Sequence, residues 1–243
     1  MQEISLKAEE LFMVGGFGVT NGLFSTALSS LFLVLFSLAL YKRIKIVPGP
    51  LQSAVEMGAE WFLNTMASVL GSFNKAERHF PLIATIFIFI LFSNLLGIFP
   101  GVGSFFVEDG KSQIPLFRSP AADLNFTLAF AVISVLSANL LGMQAVGIFS
   151  HIKKFFNFKN PIAFFIGILE FISEFAKIIS LSFRLFGNIF AGEVLLTIIF
   201  FLVPYFVPLP FLLLEIFVGL IQAFLFAMLT LVSISLHTAA EEH

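Results

Sequence analysis

The chain contains apolar stretches long enough to cross a lipid bilayer. Residues 21–41, 80–99 and 124–149 hold no charged side chain. A helix needs about 20 apolar residues to cross about 30 Å of hydrocarbon. We therefore expect three membrane-spanning helices at these positions, followed by a longer helical region in the last third of the chain.

The composition excludes several classes of protein. Of the 243 residues, 58% are hydrophobic and 12% are charged, whereas an average soluble domain has about 25% charged residues. The chain has no Cys and a formal net charge of −2, so it has neither a disulfide framework nor a basic surface for nucleic acid. We predict an all-α polytopic membrane protein in which residues 1–243 form a single membrane domain.

Basic residues predict the orientation in the membrane. Cytoplasmic loops carry an excess of Lys and Arg. The layout places residues 1–20 outside, without a cleaved signal peptide, and the C-terminus in the cytoplasm. Three basic residues then lie outside, namely Lys7, Lys111 and Arg118, and eight lie inside, namely Lys42, Arg43, Lys45, Lys75, Arg78, Lys153, Lys154 and Lys159.

Residues 48–74 predict an interfacial helix on the cytoplasmic side. A Pro-Gly-Pro breaker at 48–50 starts the segment. Gln52, Glu56, Glu60 and Asn64 follow at spacings of four, which places them on one face of a helix. A polar face opposite apolar residues is typical of a helix that lies in the membrane interface.

Residues 161–236 predict a long helical hairpin. The segment 161–203 has no Pro after its first residue, and 43 helical residues extend roughly 64 Å, about twice the hydrocarbon thickness. Such a helix must either be strongly inclined or break. Prolines at 204, 208 and 210 then force a turn into a second helix over residues 211–236. The chain is thus expected to have about five membrane-embedded helices plus the interfacial one.

Charged residues within apolar helices indicate function, because burying an ion in a bilayer costs about 2.5 to 3.5 kcal/mol on insertion scales. One stripe of the long helix carries five polar residues, namely Glu170, Glu174, Lys177, Arg184 and Asn188. The first three are also explained by pairing with each other and with lipid headgroups near the cytoplasmic interface. Arg184 has no carboxylate three or four residues away, so another helix or a partner protein must pair with it. An internal ion pair with Glu215 or Asp123 is the alternative.

Three carboxylates and an amide lie close to the hairpin. Glu215 and Gln222 are seven residues apart and share a helical face, while Glu193 lies nine residues after Arg184, about 180° around the helix. Asp123 begins the third span. Acidic groups at this depth suit a proton path through a water-filled cleft.

The run 182–193, Ser-Phe-Arg-Leu-Phe-Gly-Asn-Ile-Phe-Ala-Gly-Glu, resembles the signature of the F-type ATP synthase subunit a family. The similarity covers nearly the whole chain. Matching segments occur in the same order at 48–52, 93–101, 122–125, 215 and 222–224, and the ending 239–243 is similar to bacterial members.

The resemblance implies roles for particular residues. Arg184 corresponds to the arginine that faces the carboxylate of the rotating c-ring, and Gln222 to the amide opposite it. Glu193 and Glu215 correspond to acidic residues of the proton path; some relatives have His at one of these positions. Four further residues correspond to polar positions of the two half-channels, namely Asn188, Asp123, Asn94 and Ser180.

The resemblance also implies a mechanism and partners. Two offset aqueous half-channels and an essential Arg couple proton flow to c-ring rotation, and so to ATP synthesis or hydrolysis on other subunits. The implied partners are the c-ring, the subunit b peripheral stalk and membrane lipid within the whole ATP synthase of a bacterial plasma membrane. H⁺ is favoured over Na⁺. No cofactor, metal site or catalytic activity of the chain alone is expected.

Two other classes of function compete with this interpretation. A secondary transporter or self-contained channel would be active as the purified chain. An intramembrane enzyme is disfavoured because the sequence has no His-Glu-x-x-His, Gly-x-Ser-x-Gly or Cys. The four His residues lie near predicted helix ends and are expected to be uninvolved, at 79, 151, 237 and 243.

Overall fold

The computed structural model describes residues 9–99, 105–109, 112–155 and 160–238. Several predicted features lie outside these ranges: the last two residues of the 93–101 motif, Pro100 and Gly101, the basic residues Lys7, Lys111 and Lys159, and the ending 239–243. The described part of the chain is mainly helical.

The predicted all-α polytopic membrane fold is confirmed. Five helices of the described residues are long and apolar enough to cross a membrane. They are α1 (Asn21–Tyr41), α3 (Phe73–Ile98), α4 (Leu124–Val146), α6 (Pro161–Leu202) and α7 (Pro208–Thr238).

Helix α2 (Pro50–Leu70) is the amphipathic helix that the sequence predicts. Glu56 and Glu60 are exposed, whereas Phe62 and Met66 are buried against α3 and α7. Gly71 ends the helix with φ of +65°, a left-handed conformation that only Gly adopts readily. Its position at the membrane interface remains a prediction.

Helices α3 and α4 depart from their predicted bounds, and α2 and α7 differ from theirs by two to four residues at each end. Helix α3 starts at Phe73 rather than at residue 80. Its first turns are polar, with Asn74 and Lys75, and the helix continues past Pro81 into the apolar segment. Helix α4 ends at Val146, because Gly147 has φ of +89°. A short amphipathic helix, α5 (Ile148–Phe155), follows this break.

The last two helices form the expected hairpin. Helix α6 is continuous over 42 residues, or roughly 63 Å at the rise of an α-helix. The alternative of a broken helix is therefore wrong, and a strong inclination in the membrane remains the prediction. Helix α7 starts at Pro208 and accommodates Pro210 in its first turn, where a missing N–H is tolerated.

Two short antiparallel hairpins were not predicted. Strands β1 (Glu10–Val14) and β2 (Phe17–Thr20) pair directly before α1. Strands β3 (Phe106–Asp109) and β4 (Ser112–Pro115) pair in the loop between α3 and α4. A short 3₁₀ turn, Pro120–Ala122, then leads into α4.

Helices α3, α4, α6 and α7 pack together and form the core. Its fully buried side chains include Ile90, Leu185, Ile189 and Leu231. Helix α1 is more peripheral and packs against α3 and the loop before α4. Small residues on its buried stripe permit this close approach.

Candidate functional site

Arg184 lies on the exposed side of α6. Its Nη2 donates a hydrogen bond of 3.2 Å to Ser180 Oγ, one helical turn earlier. Within the described ranges, the guanidinium has no ion pair with a carboxylate. The alternative of an internal pair with Glu215 or Asp123 is therefore not what the structure contains.

A cavity of about 390 Å³ extends from Arg184 between α4, α6 and α7. Arg184, Ser180 and Lys177 line it from α6. Ser134 of α4 and Ser233 of α7 line the facing walls, and their buried hydroxyl oxygens have no hydrogen-bond partner among the described residues. Buried polar atoms are ordinarily paired with protein or water, so water at these two hydroxyls would complete their hydrogen bonding within an otherwise largely apolar lining.

Glu174 lies beside the cavity, between the lining residues Ser173 and Ala176, and is buried. Lys177 Nζ donates to its Oε1 at 2.6 Å, which confirms that these two residues pair. Asn139 of α4 donates from Nδ2 to Glu174 Oε2 at 3.1 Å. His237 of α7 places Nε2 at 3.4 Å from Glu174 Oε1, and His151 Nε2 lies 3.0 Å from Asn139 Oδ1. Residues of α4, α6 and α7 therefore surround this carboxylate, and α5 is linked to it through Asn139.

A second polar cluster lies further along α6, around Glu193. Arg118 reaches Glu193 from the loop before α4, with Nε at 3.9 Å from Oε2. The Arg118 side chain is only 8% exposed, whereas that of Glu193 is 37% exposed. The guanidinium carbon also lies 6.0 Å from the centre of the Phe190 ring, a cation–π distance. The Glu193 carboxylate therefore has a buried cation on one side and is partly exposed on the other.

Glu215 and Asn94 extend this second cluster onto α7 and α3. Glu215 is buried and packs against Gly192, where an added Cβ would lie 3.0 Å from Oε1. Asn94 donates from Nδ2 to the Gly219 carbonyl at 2.8 Å. Three oxygens of this cluster are buried without a hydrogen-bond partner in the described part of the chain, namely Asn94 Oδ1, Glu193 Oε2 and Glu215 Oε2.

Asp123 has a structural task at the start of α4. Its Oδ1 accepts a hydrogen bond of 2.9 Å from the backbone N–H of Asn125, which caps the helix. Its other oxygen, Oδ2, packs against Gly22 of α1. The carboxylate therefore joins two helices near the loop that carries Arg118.

Asn188 and Gln222 stand apart from both clusters. Asn188 is exposed one turn after Arg184, and Gln222 is half-buried on α7. Neither residue lines the cavity beside Arg184. Their predicted roles remain predictions.

Three residues of these clusters were not found from the sequence. Arg118 was assigned to the outside loop, yet its side chain is buried against α6. His151 and His237 were expected to be uninvolved helix-end residues, but both are 3% exposed. No periodic pattern identifies them, because each belongs to a different element and their proximity is tertiary.

The fold and these clusters define a class of protein: a polytopic helical membrane protein with ionisable groups buried between its helices, which is typical of ion-translocating proteins. The family model described as ATP synthase A chain matches residues 23–235. The chain belongs to this ATP synthase A chain family.

Relatives agree with this assignment over most of their length. A protein of Moorella thermoacetica is 31% identical over 226 residues, covering 93% of this chain and 94% of its own. One from Campylobacter jejuni strain 81-176 is 34% identical, with 90% of each chain covered. One from Geotalea uraniireducens is 38% identical, with 83% of this chain and 80% of its own covered. All three are called ATP synthase subunit a.

Membership in the family has direct consequences for function. The chain is an ion-translocating membrane subunit of an ATP synthase complex and is not catalytic alone. The described residues include no group of three or more His, Asp or Glu that could hold a metal ion.

Proposed function

We propose that this subunit provides two offset aqueous half-channels that couple proton translocation to rotation of a c-ring. Arg184 separates the half-channels and receives the carboxylate of each passing ring subunit. Protons cross the membrane only while they are bound to the ring, so that rotation and proton flow are coupled.

The observation that carries the proposal is the environment of Arg184. Its guanidinium is exposed on α6, and its one hydrogen bond within the described part of the chain is to Ser180. An unpaired Arg at the centre of a membrane helix costs several kcal/mol. A carboxylate supplied by a partner would offset that cost, whereas an internal pair would block such an exchange.

The two polar clusters support two half-channels that do not meet. The cavity with Ser180 and Lys177 lies on the N-terminal side of Arg184 along α6. Glu193 lies nine residues later, roughly 14 Å along the helix. We assign the cavity to the cytoplasmic half-channel. We assign Glu193, Glu215, Asn94 and Asp123 to the outer half-channel.

Arginine suits the barrier between the half-channels for chemical reasons. A nearby positive charge favours the ionised form of an approaching carboxylate, so the ring gives up its proton there. Guanidinium keeps its own proton under all physiological conditions, while a buried Lys can lose its proton. The barrier therefore attracts the carboxylate without conducting protons itself.

The exposed stripe of α6 supports the c-ring as the partner. Phe175, Ile179 and Phe183 are each more than half exposed on this helix. A long inclined helix presents such a surface to successive ring subunits. We place Gln222 and Asn188 beside Arg184 at this contact, and we assign the subunit b stalk and membrane lipid to other faces of the subunit.

The basic residues support the orientation that we propose. The N-terminus lies outside and the C-terminus lies in the cytoplasm of a bacterial cell, with the subunit in its plasma membrane. H⁺ is the coupling ion in this proposal.

Substitution of Arg184 tests the proposal. In inverted membrane vesicles, we expect Arg184→Lys and Arg184→Ala complexes to assemble and to lose ATP-driven proton pumping. Arg43→Ala, which removes an exposed Arg at the end of α1, is the matched control and should pump normally. Full pumping by an assembled Arg184→Ala complex would overturn the proposal.

Substitution of Glu193 tests the outer half-channel. We expect Glu193→Gln to slow proton transport in both directions by about tenfold, equivalent to roughly 1.4 kcal/mol in the barrier. An unchanged rate in both directions would remove Glu193 from the path.

Flux through the isolated subunit separates this proposal from a secondary transporter or a self-contained channel. We expect no proton flux in proteoliposomes that contain the purified chain alone, and flux when the c-ring is reconstituted with it. Flux through the chain alone, lost on Arg184→Ala, would favour the channel.

A further inference from the structure

The ring of His237 has hydrogen-bond acceptors on both sides. Its Nδ1 lies 2.6 Å from the Ser233 carbonyl oxygen, which can only accept, so Nδ1 carries a proton. Its Nε2 lies 3.4 Å from Glu174 Oε1, and an ionised carboxylate is also only an acceptor. Nε2 has no hydrogen-bond partner among the described residues, as expected for a neutral imidazole whose lone pair faces a carboxylate oxygen. A proton on Nε2 would turn this contact into an attraction between an imidazolium and a carboxylate.

The neighbouring contacts fix the other groups around this pair. Asn139 donates from Nδ2 to both the Val135 carbonyl and Glu174 Oε2, so its amide oxygen faces His151. His151 Nε2, at 3.0 Å from that oxygen, is therefore a donor. Asn139 and Lys177 both donate hydrogen bonds to the Glu174 carboxylate. A neutral His237 cannot do so from Nε2.

Two charged or titratable side chains of the described residues lie next to the pair, Lys177 and His151. Lys177 of α6 donates to the same oxygen, Oε1, at 2.6 Å. His151 of α5 has its ring centre 5.5 Å from that of His237. Helix α4 contains no titratable residue and contributes only the Asn139 amide. Glu174 and Lys177 balance each other, so a proton on His237 adds one positive charge to the cluster.

The pair adjoins the cavity that reaches Arg184. Lys177 and Ser233, which bond to Glu174 and His237 respectively, both line the cavity. Lys177 is 35% exposed, whereas His237 is 2% exposed at its side chain. His237 Nε2 is therefore shielded from bulk water, and its ring contacts Ser233, which lines the cavity.

We propose that His237 and Glu174 form a proton-exchange site at the cytoplasmic end of this cavity. The inference rests on the half-channel function proposed above. In ATP-driven pumping, a cytoplasmic proton binds His237 Nε2 and forms a charged hydrogen bond to Glu174. The imidazolium then releases this proton to cavity water and returns to neutral imidazole, and the proton continues to the ring carboxylate beside Arg184.

Histidine suits this task because an imidazole ring can both bind and release a proton, which makes histidine a common proton shuttle. Free protons are scarce in cytoplasm near pH 7.5, and a group that holds a proton at the channel mouth raises the local supply. Loss of this group should matter most at high cytoplasmic pH. A merely structural histidine would instead change activity by the same factor at every pH.

The test is the pH profile of ATP-driven pumping by the whole complex in inverted vesicles, whose outer solution contacts the cytoplasmic side. We expect His237→Gln to pump within about twofold of the unaltered complex at pH 6, where free protons are abundant, and about three- to tenfold more slowly at pH 8, where a proton shuttle is needed most. His79→Gln, a half-buried His of α3 outside the cluster, should keep the unaltered profile.

A second variant keeps the test decisive if His237→Gln assembles poorly. Glu174→Gln can donate an amide N–H to neutral His237, which removes the need for a proton. It should therefore reproduce the loss at high pH. The double variant should be no slower than either single variant, because both remove one site.

A pH profile of Glu174→Gln or His237→Gln that matches the unaltered complex after scaling would overturn this inference. The half-channel proposal would survive that result as long as Arg184→Ala still abolishes pumping. Conversely, full pumping by the Arg184→Ala complex would reject the half-channel proposal itself, whatever the His237 profile shows.

Discussion

Arg118 and Glu193 form an ion pair, 3.9 Å between Nε and Oε2, that joins the loop before α4 to the C-terminal part of α6. The pair places a fixed cation beside one of the proposed proton-path carboxylates. Since Arg118 is nearly inaccessible and Glu193 is partly exposed, the cation lies between the carboxylate and the protein interior. We expect it to hold Glu193 in position and to favour its ionised form.

The first prediction concerns this pair. Arg118→Gln leaves Glu193 without its cation, and loss of one partner of a buried polar pair costs about 1 to 3 kcal/mol. If one to two kcal/mol of this appears in the transport barrier, proton transport should slow by roughly 5- to 30-fold. ATP-driven pumping in vesicles, normalised to the amount of assembled complex, measures the effect. A rate equal to that of the unaltered complex would show that Arg118 has only a packing role.

The second prediction concerns the contact between Gly192 and Glu215. Gly192→Ala would place a Cβ 3.0 Å from Glu215 Oε1, so the carboxylate must shift while α6 remains intact. We expect normal assembly, because Ala favours a helix over Gly by about 1 kcal/mol, together with slower proton transport. Gly58→Ala on α2, where a Cβ meets nothing within 4 Å, is the control. Equal transport rates in the two variants would contradict a role for the position of Glu215.

The third prediction separates two tasks of Asp123. Asn caps a helix about as well as Asp, whereas loss of the cap in Ala costs about 0.5 to 2 kcal/mol. Asp123→Asn should therefore preserve the thermal stability of the complex but slow proton transport, and Asp123→Ala should lower both. If Asp123→Asn transports protons at the unaltered rate, Asp123 is a helix cap and not a member of the path.

The predicted helices were found because bilayer thickness dictates the length of an apolar span. Residues 21–41 match α1 without any shift. Arg184 could be singled out for a related reason, since an ion within such a span has a large energetic cost. Both features depend only on the local sequence and on the properties of the lipid bilayer, so they can be predicted without knowledge of tertiary contacts.

Other features could not be predicted because they depend on which elements converge. Arg118 belongs to a charged loop and resembles any solvated Arg in the sequence. Likewise, His151 and His237 lie near the ends of different helices, and only the packing of α5 and α7 on α6 brings them close to Glu174. The hairpin of β1 and β2 did carry a signal, the Gly15-Gly16 pair with positive φ at both residues, which is typical of a tight hairpin turn.

The central claim is that the exposed stripe of α6 around Arg184 faces the ring carboxylate. The absence of Cys from the chain makes disulfide cross-linking a direct measurement. Phe183→Cys lies on this stripe and is the test variant. Leu31→Cys on α1 is its matched control, because the two residues are 54% and 55% exposed. Each is combined with a Cys placed beside the carboxylate of the c subunit. We predict cross-links from position 183 and none from position 31; cross-links from position 31 with none from position 183 would contradict the account.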